Sequence, residues 1–218
     1  MEHAVIENHV AELGLGAGTT REMLESLHWW RRETVGLDRS SPVHPNASSW
    51  KHGEEADQQH QIFAGTVTAL LLSLCKNINT LSFESEVSEG PLRDYILASN
   101  YGLTPRPALE RLRHVAYSAR RPEDERFYEA VDILDILRCI HRLPQIDILS
   151  MDGVTEGERA ADEPFPPKTS RSLKRIHLGN MDIHPDLVHT IMRIPVGLEE
   201  LSLSFGGMWC NIRGQDKS

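Results

Sequence analysis

The chain has 218 residues, 39% of them hydrophobic and 25% charged, with a formal net charge of −9. That is enough chain to bury a real core, as one large domain or two small ones, and the balance is that of an ordinary globular protein. The acidic charge excludes the basic footprint of a nucleic-acid binder; no apolar run reaches the length of about 18 residues that marks a membrane span; and Glu2, Glu7 and Glu12 stand where a secretory signal would be basic and then apolar.

Taken in order, Val10-x-x-Leu13-x-Leu15 reads as a short strand, and Met23, Leu24, Leu27 and Trp30 recur at helical spacing. Residues 1–34 are therefore expected to be a strand-helix unit, open to being a first repeat. Residues 35–60, rich in Ser, Pro, His and charge, read as a loop or disordered insertion. Gln61 to Lys76 is apolar nearly all round and reads as a buried helix leading into Ile78-x-x-Leu81-x-Phe83. Pro91 opens a short helix along Leu92, Tyr95 and Ile96, which Gly102 terminates. After Leu112-x-x-Val115-x-Tyr117, a long helix is expected from Pro122 to Leu143. Phe127, Val131, Leu134 and Leu137 would be its buried stripe. Ile146-x-x-Leu149-x-Met151 follows, then an acidic, proline-rich segment over 152–170 that reads as a mobile loop.

The stretch from Ser172 to Phe205 states the pattern most plainly. Leu173-x-x-Ile176-x-Leu178 and Leu198-x-x-Leu201-x-Leu203 flank a helix that Pro185 opens and Pro195 ends. From Ile78 onward the motif recurs at intervals of 34, 34, 27 and 25 residues, each the length of one strand-helix unit. Three apolar side chains per strand point inward, and neighbouring units must stack to cover them. The expected fold is α/β, an open leucine-rich-repeat-like solenoid over residues 61–205. Its parallel strands lie in sequence order on one face and its helices on the other, with 206–218 as a fraying tail.

The strands LRHVAY, LKRIHL and LEELSL, each following a proline that ends a helix or a proline-broken segment, resemble the irregular leucine-rich repeats of fungal F-box-type proteins. That resemblance implies a substrate receptor of a ubiquitin ligase, whose F-box holds the ligase adaptor while the repeats hold a target. The first forty residues show no Leu-Pro opening followed by three helices, so an F-box is not read here. Met181 stands where the repeats of that family carry asparagine.

Few signals for chemistry accompany the pattern. Gly14-x-Gly16-x-Gly18, after a strand and before a helix, admits a phosphate-binding turn, though Thr19 stands where the dinucleotide fingerprint has its third glycine and no Lys-Ser/Thr pair follows. His52 and His60, like His184 and His189, match no zinc spacing. Cys75, Cys139 and Cys210 form no C-x-x-C pair; the first two sit in apolar helical patterns and read as buried thiols of a reducing compartment, cytoplasm or nucleus. No catalytic constellation, metal site or cofactor is expected. The exposed positions between the inward residues supply the candidate partner-binding face: Arg113 and His114, then Lys174, Arg175 and His177, then Glu199 and Glu200. Opposite charges on such a face can equally pair with each other across strands. Trp50 and Trp209 are further candidate anchors for a partner. The sequence thus points to a non-enzymatic protein-interaction module. A small nucleotide-binding or enzymatic α/β domain built on the glycine turn, or a truncated fragment without function, is the alternative.

Overall fold

The computed structural model describes residues 2–36, 49–83, 90–105, 108–118, 127–128, 131–156, 165–206 and 209–210. They belong to two compact units, a helical one (Met1–Cys75 with Glu89–Ala108) and one built on a sheet (Lys76–Ser88 with Leu109–Ser218).

The helical unit holds α1 (Glu2–Glu12), α2 (Ala17–Gly36), α3 (Ser49–Leu74) and α4 (Pro91–Asn100). The strand expected at Val10–Leu15 is not formed. Val10 lies in α1 and Leu13 in the turn behind it, both buried, because a spacing of three places two apolar residues on a helix face as readily as at a strand entrance. Gly14 makes the turn into α2 at φ +69°, where an added Cβ would stand 2.4 Å from Cδ of Pro105. Only glycine meets both conditions. The loop expected over 35–60 is corrected as well, since α3 begins at Ser49; residues 37–48 lie outside the described residues. Glu, Ala and Gln between 54 and 61 are good helix formers, and extending an existing helix costs far less than nucleating one.

Met23 and Ser26 of α2, Thr66, Ala69 and Leu72 of α3, and Tyr95 and Ile96 of α4 form the core of this unit. The buried hydroxyls of Ser26 and Thr66 lie 3.0 Å apart, and Ser26 also donates to the Met23 carbonyl at 2.8 Å, so the polar pair is satisfied. α3 is not buried all round as expected: Leu71 and Leu74 are 55% and 62% exposed. Cys75, just beyond it, is exposed rather than buried. α4 ends as expected at Gly102, φ +68°. The Gly102 N–H donates to the Ser99 carbonyl and the Leu103 N–H to that of Ala98, which satisfies the last carbonyls of the helix.

In the second unit every described strand pairing is parallel. β1 (Thr80–Phe83), β2 (His114–Ser118), β5 (Ile148–Thr155), β6 (Arg175–Asp182) and β7 (Glu200–Phe205) lie side by side in sequence order. β3 (Phe127–Tyr128) pairs with β8 (Trp209–Cys210), and β4 (Val131–Asp132) pairs with β5 beyond the end of β2. The rungs match the sequence motif residue for residue: Leu81, Val115, Leu149, Ile176 and Leu201 align, as do Phe83, Tyr117, Met151, Leu178 and Leu203. In the three inner strands these side chains are at most 3% exposed. Leu112, Ile146 and Leu173, two residues ahead of those strands, are fully buried. Period two explains the alternation within the strands, whereas Leu112, Ile146 and Leu173, three residues before Val115, Leu149 and Ile176, are buried ahead of it.

Two helices complete this unit, α5 (Ile133–Ile140) and α6 (Pro185–Arg193). The long helix expected from Pro122 is corrected: Phe127–Tyr128 and Val131–Asp132 are extended, and α5 starts where the Asp132 carboxylate accepts the Leu134 N–H at 2.8 Å. An aspartate that can cap a helix competes with continuing one. The acidic cluster Glu123–Glu125 lies outside the described residues. α6 is bounded as expected, with His184 capping its start and Leu187 and Ile191 buried. The loop expected over 152–170 is corrected at its start, because β5 runs on to Thr155; residues 157–164 lie outside the described residues. Between Leu178 and Met181 the register shifts at Asn180, φ +47°, whose amide donates to Asp152 at 2.6 Å. Met181 is buried, and Asn180, one residue earlier, makes the polar contact.

Candidate functional site

The seven residues singled out from the sequence fall on neighbouring rungs of the sheet, Arg113, Lys174, Glu199 and Glu200 exposed and His114, Arg175 and His177 half-buried. The rung entering the strands runs Asn79, Arg113, Asp147, Lys174, Glu199, each N–H after the first donating to the carbonyl of the residue before it at 2.8–3.0 Å. The next rung is Thr80, His114, Ile148, Arg175, Glu200, and two residues on come Ser82, Ala116, Ser150, His177, Ser202. Parallel pairing is what brings residues 23 to 36 positions apart together.

Most of the charges on this face meet an opposite charge on the adjacent strand. The Lys174 ammonium donates to Glu199 Oε1 at 2.7 Å, Arg175 bonds Asp147, and His177 Nε2 lies 3.1 Å from Glu200 Oε1. His114 Nε2 is 3.0 Å from Ser150 Oγ. The hydrogen bond and charge of Glu199 raise the pKa of Lys174, and Asp147 does the same for Arg175. Arg113, exposed, has no ion-pair partner among the described residues. The face is thus both a surface of alternating charge and one whose charges are largely paired within it.

Other sequence candidates are dispersed. The glycine turn follows a helix, α1, where a phosphate loop follows a strand, and Gly14 is spent on the contact with Pro105. His60 lies with its ring edge-on to Trp29 at 4.9 Å, while His184 is a helix cap. Among the described residues no three His, Cys, Asp or Glu side chains could hold a metal ion. The side chains of Trp50 and Trp209 lie outside the described residues.

Sequence reasoning missed a groove in the helical unit. Val5 and Ile6 of α1, Trp30 of α2, and Phe63, Leu71 and Leu74 of α3 line a cavity of about 880 Å³. Trp30 stacks on Phe63 with centroids 4.5 Å apart and planes at 13°. The available signal is the apolar character of α3 all round, which leaves apolar side chains on more than its core-facing side. No described helix is long and apolar enough to cross a membrane. No protein-family model matches the chain, and neither curated proteins nor solved structures return a match.

Proposed function

We propose that this chain is a non-enzymatic protein-interaction module that binds its partner on the exposed face of the parallel sheet. One observation carries the reading: Arg113, His114, Lys174, Arg175, His177, Glu199 and Glu200 gather on neighbouring rungs, and along the entering rung Arg113, Asp147, Lys174 and Glu199 alternate in sign from strand to strand. Exposed ion pairs of this kind contribute little to stability. They are readily exchanged for pairs with a partner, and they select that partner by charge pattern. The repeating strand motif, with its inward rows buried and its outward rows charged, supports a leucine-rich-repeat-like solenoid as the finer architecture. The resemblance to fungal F-box-type repeats makes a substrate-receptor role in a ubiquitin ligase the finer form of the function.

The test is affinity capture from cell extract with the intact chain as bait, against Arg113→Glu and Arg175→Glu variants of unchanged melting temperature. Capture of a protein by the wild type, lost in both variants and weakened at 0.5 M salt on the order expected for exposed charges, is the expected result. Recovery of a cullin and its adaptor alongside supports the receptor role. An identical set of captured proteins with wild type and variants overturns the proposed face.

A further inference from the structure

The hydrogen bonds that enter each strand repeat a single unit across the sheet. The Asn79 carbonyl accepts the N–H groups of Arg113 and His114, at 2.9 and 3.1 Å. Arg113 accepts those of Asp147 and Ile148, Asp147 those of Lys174 and Arg175, and Lys174 those of Glu199 and Glu200, all between 2.8 and 3.1 Å. The next acceptor in the series is the carbonyl of Glu199, and β7 is the edge of the sheet among the described residues. No described residue donates to that carbonyl.

Three features of the edge say what would satisfy it. First, an open carbonyl that continues the series takes two consecutive N–H groups, as an extended backbone without proline at those positions supplies. Second, the rows that are buried in the inner strands are less covered here: Leu201 and Leu203 are only half-buried and Phe205 is 65% exposed, as against 0–3% for Leu149, Ile176, Met151 and Leu178. Third, the charge order ends on an acidic strand. The entering rung runs Arg113, Asp147, Lys174, Glu199, and the next ends Arg175, Glu200, so the position beyond each glutamate calls for a cation. On the inward side Glu199 accepts from Lys174 and Glu200 lies beside His177, with the Arg175 charge acting on both, and a carboxylate accepts more than one donor.

We infer that the β7 edge is a docking site for an extended segment of a partner protein carrying two consecutive basic residues followed by apolar residues at alternate positions, which joins the sheet as a further parallel strand. This rests on the interaction reading above and names the chemistry of a partner. Backbone pairing supplies affinity, and the two cations opposite Glu199 and Glu200 supply register and specificity. β6 is itself such a segment, with Lys174 and Arg175 ahead of Ile176 and Leu178, already paired to the inner side of β7.

The probe is therefore a fluorescein-labelled peptide copying residues 172–180, SLKRIHLGN, titrated onto the intact chain by anisotropy, with amide shifts read by NMR. Controls replace Lys-Arg by Glu-Glu, or the lysine by proline. The expected result is binding at least about tenfold tighter than either control, given the cost of like-charge juxtaposition, with shifts confined to Glu199–Phe205. In the Glu199→Lys/Glu200→Lys chain the preference passes to the Glu-Glu peptide; a Glu199→Gln/Glu200→Gln chain, the milder change, shows reduced discrimination if the double reversal does not fold. Equal binding of the three peptides, or shifts in the helical unit, overturns the proposal. So does concentration-dependent dimerisation abolished by Glu199→Lys/Glu200→Lys, which would make a second copy the occupant. Peptide binding is expected to survive Arg113→Glu, which removes partner capture by the face. Loss of capture in that variant with no peptide preference sinks the edge and leaves the face. Silence in both assays sinks both.

Discussion

His141 is 2% exposed, with Nδ1 at 2.9 Å from the Leu137 carbonyl and its ring edge-on to Phe165 at 4.9 Å. Burial holds its pKa below the ordinary value of 6.5, with nearby Arg142 acting in the same direction and the backbone hydrogen bonds opposing. The unfolded chain therefore binds a proton that the folded chain refuses, and stability falls as pH drops below about 6.5. In His141→Gln, which keeps a donor at that position, urea midpoints at pH 7 and pH 5 should lie closer together than in the wild type. Histidine–carboxylate pairs elsewhere, such as His28 with Glu7 at 3.5 Å, are common to both chains and cancel in the difference. Asp132 has the opposite sign. Burial raises its carboxyl above the ordinary value of 3.8, with the Leu134 N–H opposing, so its contribution is present below that value and is lost as pH rises through the folded one. At neutral pH Asp132→Asn, which keeps the cap without the buried charge, should be no less stable than wild type. Asp132→Ala should lose about 1 kcal/mol by denaturant titration.

At the scale of the element, the α1–α2 turn separates two readings of the same glycines. If Gly14 serves a ligand, replacing it should change binding alone; the geometry instead makes it structural, since φ +69° and the approach of Pro105 both exclude a Cβ. Gly14→Ala should lose at least about 1–2 kcal/mol, the strain of a left-handed residue alone. Gly16→Ala, with nothing within 4 Å of the added carbon, should stay within about 0.5 kcal/mol of wild type. Equal effects in chemical denaturation would contradict this account. Elements bounded by proline and glycine, α4 and α6, were readable because those residues act on the backbone directly and need no neighbour. Val10–Leu13 and the start of α5 were not. A hydrophobic pair three apart suits two structures, and whether Asp132 begins a helix or sits inside one depends on whether extended segments precede it.

For the whole molecule, the helical unit is discontinuous in sequence: α4 returns to it after β1 has entered the sheet. Tyr95 and Ile96, 1% and 2% exposed, belong to its core. A fragment of residues 1–75 should consequently melt without a cooperative transition by far-UV circular dichroism, while residues 1–108 should show one. A sharp transition in the shorter fragment would mean that α4 is dispensable. What the sequence determined by itself was the sheet. Its strand motif carries register, and the residue identities at alternate positions choose the buried and the charged rows, so order, parallel pairing and the gathering of Arg113, Lys174, Arg175 and Glu199 on one face followed from local spacing. Tertiary structure alone decided what lies between and beside the strands. It assigned α3 to a helical unit rather than to the repeats, left Leu71 and Leu74 exposed in a groove, and made the acidic β7 the edge of the sheet among the described residues. The physical reason is that period and propensity fix which side of an element is apolar, whereas what covers that side is a competition among all the apolar surfaces of the chain, settled only when they meet.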